Sequence, residues 1–119
     1  MPYDAELAEA MRRALRRHKH VTEKRMFGGI CWMLNGNMLC GVEVGRYMFR
    51  VGKDHEAQAL ARPGATPMDI TGRPMKGFVW VAAGSAADRD LSSWIDLAAR
   101  YVSTLPPKPT PAPRRPHPG

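Results

Sequence analysis

Apolar residues near the N terminus recur at the spacing of an amphipathic helix. Leu7, Met11 and Leu15 fall at positions i, i+4 and i+8, so one face of a helix would carry all three. Asp4 is placed to act as the N-cap, and the arginines up to Arg17 gather in the last turns, where the helix dipole favours cations. We therefore predict a helix from Asp4 to Arg17.

The C-terminal part of the chain has a second stripe of this kind, which predicts a closing helix from Asp88 to about Leu105. The apolar positions of the stripe are Leu91, Trp94, Ile95, Ala98, Tyr101, Val102 and Leu105. Pro106-Pro107 ends the helix, because proline cannot continue it. Residues 106–119 are rich in proline and cations but lack apolar anchors, so we expect a disordered, polyproline-like tail.

Short apolar runs between the two helices predict the strands of an antiparallel sheet. The runs lie at residues 21–27, 30–34, 37–42, 46–51 and 78–83. Gly28-Gly29 interrupts the first two runs, and a short helix is predicted from Asp54 to Ala61. The segment from Met68 to Gly77 is rich in glycine and proline and is predicted to be a loop.

Asn35-Gly36, between two of these runs, is the strongest turn signal in the chain. Asn-Gly favours a two-residue type I′ turn, because both positions of that turn need a positive φ. The cross-strand pairs in the register that this turn sets are Leu34 with Asn37, Met33 with Met38, Trp32 with Leu39, and Cys31 with Cys40.

This register makes both faces of the sheet apolar. One face carries Ile30, Trp32, Leu34 and Leu39, and the other carries Cys31, Met33, Met38, Cys40 and Val42. The last strand places Phe78 and Trp80 on one side and Val79 and Val81 on the other. The two long helices can cover only one face. The second face is covered either by a partner protein, most simply a second copy of the chain, or by the short helix, the loop at 68–77 and the chain ends.

The two cysteines allow two interpretations. Cys31 and Cys40, directly opposed in the predicted register, would have Cα atoms about 4.5 Å apart, which a disulfide tolerates, so the pair could act as a redox switch. Alternatively, both are reduced and buried. Two cysteines are too few for a disulfide-built secreted domain, and the sequence shows no signal segment or membrane-spanning run. We therefore expect a cytoplasmic protein.

The net charge of +7 suggests an acidic partner, either nucleic acid or an acidic protein surface. Cations that could contact phosphates gather at the end of the first helix and in the strand after it, namely Arg12, Arg13, Arg16, Arg17, Lys19, Lys24 and Arg25. Alternatively, they form a solvated helix face whose arginines balance Glu6 and Glu9. The loop before the last strand is a second candidate contact for a protein partner, through Arg73, Met75 and Lys76, unless it is only a connector.

The sequence offers no motif for catalysis or metal binding. It has no glycine-rich phosphate loop, no nucleophile elbow and no C-x-x-C pair. His18 and His20 stand alone at a basic helix end. We therefore expect a protein that is not an enzyme and that uses no cofactor, metal or small-molecule substrate.

Several segments of the chain, taken together with their order, resemble the N-terminal domain of the TfoX/Sxy family of competence regulators. They are Arg25-Met26-Phe27-Gly28-Gly29, the Asn35-Gly36 hairpin, Tyr47-Met48-Phe49-Arg50-Val51, and Phe78 to Ala83 followed by the helix that bears Trp94. The resemblance covers roughly Met1 to Pro107. It implies an α+β fold, a two-layer sandwich in which N- and C-terminal helices pack on an antiparallel sheet.

From this resemblance we expect one domain at residues 1–105, followed by the tail at 106–119. Full-length members of the family carry a second, C-terminal domain, for which 119 residues leave no room. The implied function is that of a non-enzymatic regulatory or protein-interaction domain. The alternative is a small basic protein that associates with nucleic acid with weak sequence preference.

Overall fold

The computed structural model describes residues 4–26, 28–70, 72–85 and 88–108. The helices in these ranges are α1 (Ala5–Leu15), α2 (Glu56–Leu60) and α3 (Asp88–Val102). The strands are β1 (Val21–Met26), β2 (Gly29–Leu34), β3 (Asn37–Val42), β4 (Arg46–Arg50), β5 (Ala65–Ile70) and β6 (Arg73–Ala82). Short 3₁₀ turns at Lys53–His55 and Ala83–Ser85 precede α2 and α3.

All six strands join one antiparallel sheet in the order β1-β2-β3-β4-β6-β5. The predicted antiparallel sheet is confirmed, and its first four strands are neighbours in chain order, but the predicted loop from Met68 to Gly77 is wrong. Most of that segment belongs to β5 and to the first half of β6. The strand was missed because proline usually indicates a loop. Pro67 is tolerated in β5 because this strand lies at the edge of the sheet, where the missing N–H interrupts no ladder.

The three helices pack on one face of the sheet, which confirms the two-layer α+β sandwich. Their apolar side chains and those of the sheet form one continuous core. At its centre Phe49 of β4 stacks on Trp94 of α3, with ring centroids 5.3 Å apart. Burial of large aromatic rings supplies much of the stability of such a core.

The β2–β3 hairpin keeps the predicted turn but not the predicted register. Asn35 and Gly36 both have positive φ, and Met33 pairs with Met38 as expected. The register then shifts by one residue, because Leu39 is an extra residue in β3 and Trp32 pairs with Cys40. The bulge lets the consecutive side chains Leu39 and Cys40 both enter the helix-side core.

The bulge also changes which face each later residue of β3 occupies. Cys40 and Val42 join the helix-side core, whereas the sequence placed them on the opposite face. Gly41 now pairs with Cys31 on the open face. The predicted division of β6 is confirmed, since Val79 and Val81 face the helices and Phe78 and Trp80 face away.

Gly52 follows strand β4 and packs against the ring of Tyr101 in the last helix. Its φ is +86°, and a Cβ there would lie 2.5 Å from the ring of Tyr101 in α3. Gly45, in the β3–β4 turn, has a similar φ of +75° but open space around it. The two glycines therefore separate the cost of the backbone conformation from the cost of steric overlap.

We predict that Gly52→Ala lowers the free energy of unfolding by about 2–4 kcal/mol, because it adds steric overlap with Tyr101 to the cost of a positive φ. Gly45→Ala, which has only the conformational cost, should lower it by about 1 kcal/mol. Urea unfolding of both variants measures the difference. Equal losses would show that the Tyr101 contact is not a constraint.

Candidate functional site

The face of the sheet opposite the helices forms a concavity of about 650 Å³. Six of the eight methionines of the chain line it: Met26, Met33, Met38, Met48, Met68 and Met75. Cys31, Phe78 and Trp80 are among its other apolar lining residues. Thioether side chains are unbranched and polarisable, so they can adjust to the shape of whatever packs against them.

Glycine and the β3 bulge together give the concavity its depth. Gly41 contributes no side chain to the floor, and a Cβ at that position would lie 3.3 Å from Cys31 Sγ and 3.4 Å from the methyl carbon of Met48. Cys31, Met48, Met68 and Trp80 are buried in this floor. Met26, Met38, Met75 and Phe78 are only partly buried around it, so the surface offered to solvent is mainly thioether and aromatic.

Charged side chains stand at the rim, and their pairing is incomplete. Arg46 Nε donates a hydrogen bond to Glu43 Oε1 at 2.9 Å, and its guanidinium carbon lies 3.6 Å from the centroid of the Trp80 ring. Arg50 lies over Phe78 at 5.3 Å and over Tyr101 at 5.7 Å. Among the residues that the structure describes, Arg50 has no carboxylate partner.

The last described residues of the chain also reach this rim. Pro106 O accepts a hydrogen bond from the Asn37 side chain at 3.0 Å, and Lys108 N–H donates one to Asn35 O at 2.7 Å. The predicted tail therefore begins with residues held at the β2–β3 turn, and Lys108 lines the concavity. The rest of that tail, 109–119, lies outside the described residues.

The predicted cross-strand pair of Cys31 and Cys40 is wrong, because the bulge pairs Cys31 with Gly41 and Cys40 with Trp32. Both thiols are free and buried. Cys40 Sγ lies 3.7 Å from Met11 Sδ in the helix-side core. Burial raises the pKa of both thiols, and the negative charge of Glu43 adds to the rise at Cys31. Neither environment activates a cysteine, since the thiolate is the reactive form.

The predicted phosphate-binding cations do not form one patch. Arg12 is paired with Glu9 and Glu23, and Arg17 is paired with Asp96. The alternation of side chains along β1 directs Lys24 and Arg25 to opposite faces of the sheet. Arg25 shares the α1 side with Glu23, and Arg13, Arg16 and Lys19 are also exposed there. Nucleic-acid binding through this group stays a prediction.

The second predicted contact, Arg73, Met75 and Lys76, is part of strand β6 rather than a loop. Arg73 and Lys76 are exposed, whereas Met75 is half-buried in the lining of the concavity. The turn lies just before, at Gly72, which has a φ of +78°. A contact by Met75 would therefore be part of the sheet face and not of a separate basic turn.

Sequence reasoning found only part of the methionine lining. It placed Met33 and Met38 on the second face, but it did not assign Met26, Met48 or Met68 to a common surface. The available signal was the abundance of methionine, eight residues in 119, with four of them within predicted strands. An unusual number of flexible apolar side chains is typical of adaptable binding surfaces.

In one of the two alternatives the short helix helps to cover the second face, but its buried residue Ala59 packs in the helix-side core. In the described part of the chain, no group of His, Cys, Asp or Glu is placed to hold a metal ion. No helix within the described ranges is both long enough and apolar enough to cross a membrane.

The geometry defines a two-layer α+β sandwich with one open apolar face. The family model of the TfoX N-terminal domain matches residues 13–101, well over half of the chain, and the protein belongs to this family. No curated protein and no solved structure matches the chain. The backbone geometry accounts for both residues of Gly28-Gly29: Gly28 has a φ of +74°, and at Gly29 a Cβ would overlap Val42 O.

We predict that both thiols stay reduced and react slowly with iodoacetamide near neutral pH, because burial raises each pKa. Cys31, which lines the concavity, should react before Cys40, which is fully buried. Mass spectrometry of alkylated peptides gives the order. A disulfide between the two residues in protein isolated under thiol trapping would contradict the corrected register.

Arg12 holds the pKa of Glu23 below its usual range through a side-chain hydrogen bond. A lowered folded-state pKa contributes stability above the unfolded value of about 4.3, and this contribution is lost as the pH falls through the folded value. Glu23→Gln should therefore lower stability by about 0.5 kcal/mol at neutral pH and by much less near pH 3. Urea unfolding at the two pH values tests this, and a loss independent of pH would refute the ion-pair origin.

Proposed function

We propose that this protein is a non-enzymatic regulatory domain that acts by binding another protein. The methionine-lined concavity is the binding surface, and its occupant is the apolar ridge of an acidic amphipathic helix. The observation that carries the proposal is the concentration of six methionines and two large aromatic residues on a sheet face that the helices leave open. Membership of the TfoX N-terminal domain family supports a regulatory role.

The chemistry of the lining favours binding over catalysis. Thioethers and aromatic rings attract a partner by dispersion and by release of water, and they transfer no protons. A concavity of about 650 Å³ corresponds to roughly 20 water molecules at about 30 Å³ each. Replacing water against an apolar wall with apolar side chains provides the free energy of association.

A helix suits this surface better than an extended strand does. A strand binds by adding backbone hydrogen bonds at a sheet edge, whereas the concavity lies on a sheet face and is lined mainly by side chains. The backbone groups of a helix are already hydrogen-bonded to one another, so a helix can bury an apolar ridge without leaving them unsatisfied.

A second copy of the chain complements the concavity poorly. In a two-fold dimer the same surface lies on both subunits, and two hollows facing each other would leave a void that protein interiors do not tolerate. A ridge from elsewhere on a second copy is also lacking, because Val44 is the one large hydrophobic residue exposed in the described part of the chain.

The charge of the rim favours an acidic partner. The lining includes three cations, Arg46, Arg50 and Lys108, against two carboxylates, Glu43 and Asp69. Glu43 already interacts with Arg46. The chain as a whole carries a net charge of +7. Complementary charge directs and accelerates association with a partner of opposite sign.

We predict that peptides selected by the protein from a random displayed library have apolar residues at helical spacing and a negative net charge. The double variant Met38→Lys/Met75→Lys should bind a selected peptide at least about tenfold more weakly, because the apolar ridge of the partner would desolvate both ammonium groups without pairing them. Gln58→Lys adds a charge at an exposed site on α2 and should change the affinity less than about twofold. Fluorescence anisotropy measures all three.

Circular dichroism confirms that each variant is folded before its affinity is compared. Equal affinity of the wild type and the double methionine variant would refute the concavity as the binding surface. Selection of basic peptides or of peptides without an apolar ridge would refute the proposed partner. A wild-type protein that sediments as a dimer, and whose double variant is monomeric, would assign the surface to a second copy instead.

A further inference from the structure

We infer that Arg46 and Arg50 recognise two carboxylates on the partner helix, one at each end of its apolar ridge, and that Glu43 competes for Arg46 as an internal substitute for one of them. This inference rests on the proposed function. It adds the residues that determine specificity and the acidic pattern that they select.

Strand β4 places the two arginines on either side of the concavity floor. Side chains alternate along a strand, and Tyr47 and Phe49 lie in the helix-side core. Arg46, Met48 and Arg50 therefore share the open face, and all three line the concavity. Met48 is buried in the floor between the two cations.

Arg50 is a half-buried cation without a counterion. Phe78 and Tyr101 are its neighbours, and the described residues provide no carboxylate for it. Aromatic rings attract a guanidinium through their faces but leave its N–H groups free to donate to an anion. A guanidinium held in apolar surroundings binds an incoming carboxylate more strongly than one in water does, because the local dielectric is lower.

The guanidinium of Arg46 is held in place, but only some of its N–H groups donate a hydrogen bond. Trp80 supports its guanidinium from one side at 3.6 Å, and Glu43 accepts a hydrogen bond from Nε at 2.9 Å. The remaining N–H groups of Arg46 have no acceptor among the described residues. A partner carboxylate can bind these groups, and Glu43 then opposes it as a neighbouring like charge.

The spacing of the arginines sets the spacing of the acids. Four residues of β4 separate Arg46 from Arg50, which places their Cα atoms about 13 Å apart along the strand. On one face of a helix this distance matches about eight residues at about 1.5 Å each. The selected partner therefore has an acidic residue, an apolar ridge of two helical turns and a second acidic residue.

Synthetic helices of about 18 residues test this inference. The acidic peptide has a leucine ridge with glutamates about eight residues apart at its ends, and a second peptide has glutamine at both positions. We expect the wild type to bind the acidic peptide about tenfold more tightly at low salt, and this advantage should shrink as salt increases.

Three variants separate the roles of the rim residues. Arg50→Met should reduce the acidic peptide's advantage over the glutamine peptide about fivefold, and Arg46→Met should reduce it about threefold. Glu43→Gln should increase the advantage about threefold, because it removes the competing carboxylate. Arg16→Met, the same change at an exposed site on the helix side, should leave the ratio unchanged.

The two peptides make failure of the inference distinguishable from failure of the proposed function. If the glutamine peptide binds and the acidic peptide has no advantage, the arginine recognition is refuted while the apolar surface stands. If neither peptide binds, the proposed function itself is refuted. A Glu43→Gln variant with a reduced advantage would overturn the role of Glu43. The salt titration of the wild type needs no variant, so misfolding of an arginine variant would not prevent a decision.

Discussion

The three helices cover only one face of a six-stranded sheet, and the opposite face carries thioether and aromatic side chains rather than polar ones. Hydration of such an apolar surface is unfavourable. The free energy of the isolated domain therefore includes this cost, which a partner that covers the surface would remove. Half-burial of the methionines around a curved floor reduces this term without abolishing it. This arrangement is the basis on which we propose association with a partner.

One extra residue, Leu39, connects the helix-side core to the open face. The bulge turns Leu39 and Cys40 together into the core, where Cys40 contacts Met11 of α1. It thereby brings Gly41 to the floor of the concavity, next to Cys31 and Met48. Packing of the core and depth of the concavity are consequences of the same local distortion, because alternation along a strand couples its two faces.

The sequence predicted the elements with strong local signals. The two long helices have clear apolar stripes, and Asn35-Gly36 specified its turn because both residues readily adopt the positive φ that a type I′ turn requires. The bulge was missed, since a turn fixes only the pairs beside it and Leu39 differs little from an ordinary strand residue. The β5 strand was missed because Pro67 opposes strand formation everywhere except at an edge.

The candidate site was less predictable than the fold for a related reason. An apolar second face followed from the composition of the strands, but its concave shape depends on register and on Gly41, which no local pattern specifies. The arginines at the rim of the concavity, Arg46 and Arg50, are separate from the basic end of the first helix, which the sequence suggested as a binding patch. Their importance arises from the aromatic residues beside them, which tertiary structure brings together.

The bulge also determines which kinds of mutation this fold can survive. A codon substitution at one methionine alters a single position of an adaptable surface. Loss of the Leu39 codon would remove the bulge but leave Cys40 opposite Trp32 and Gly41 opposite Cys31, so the open face would keep its residues while the helix-side core lost the Leu39 side chain. A change that straightened β3 without shortening it would instead send Gly41 inward and Cys40 and Val42 outward. The bulge can therefore be lost only together with one residue of β3 if the lining of the concavity is to be kept.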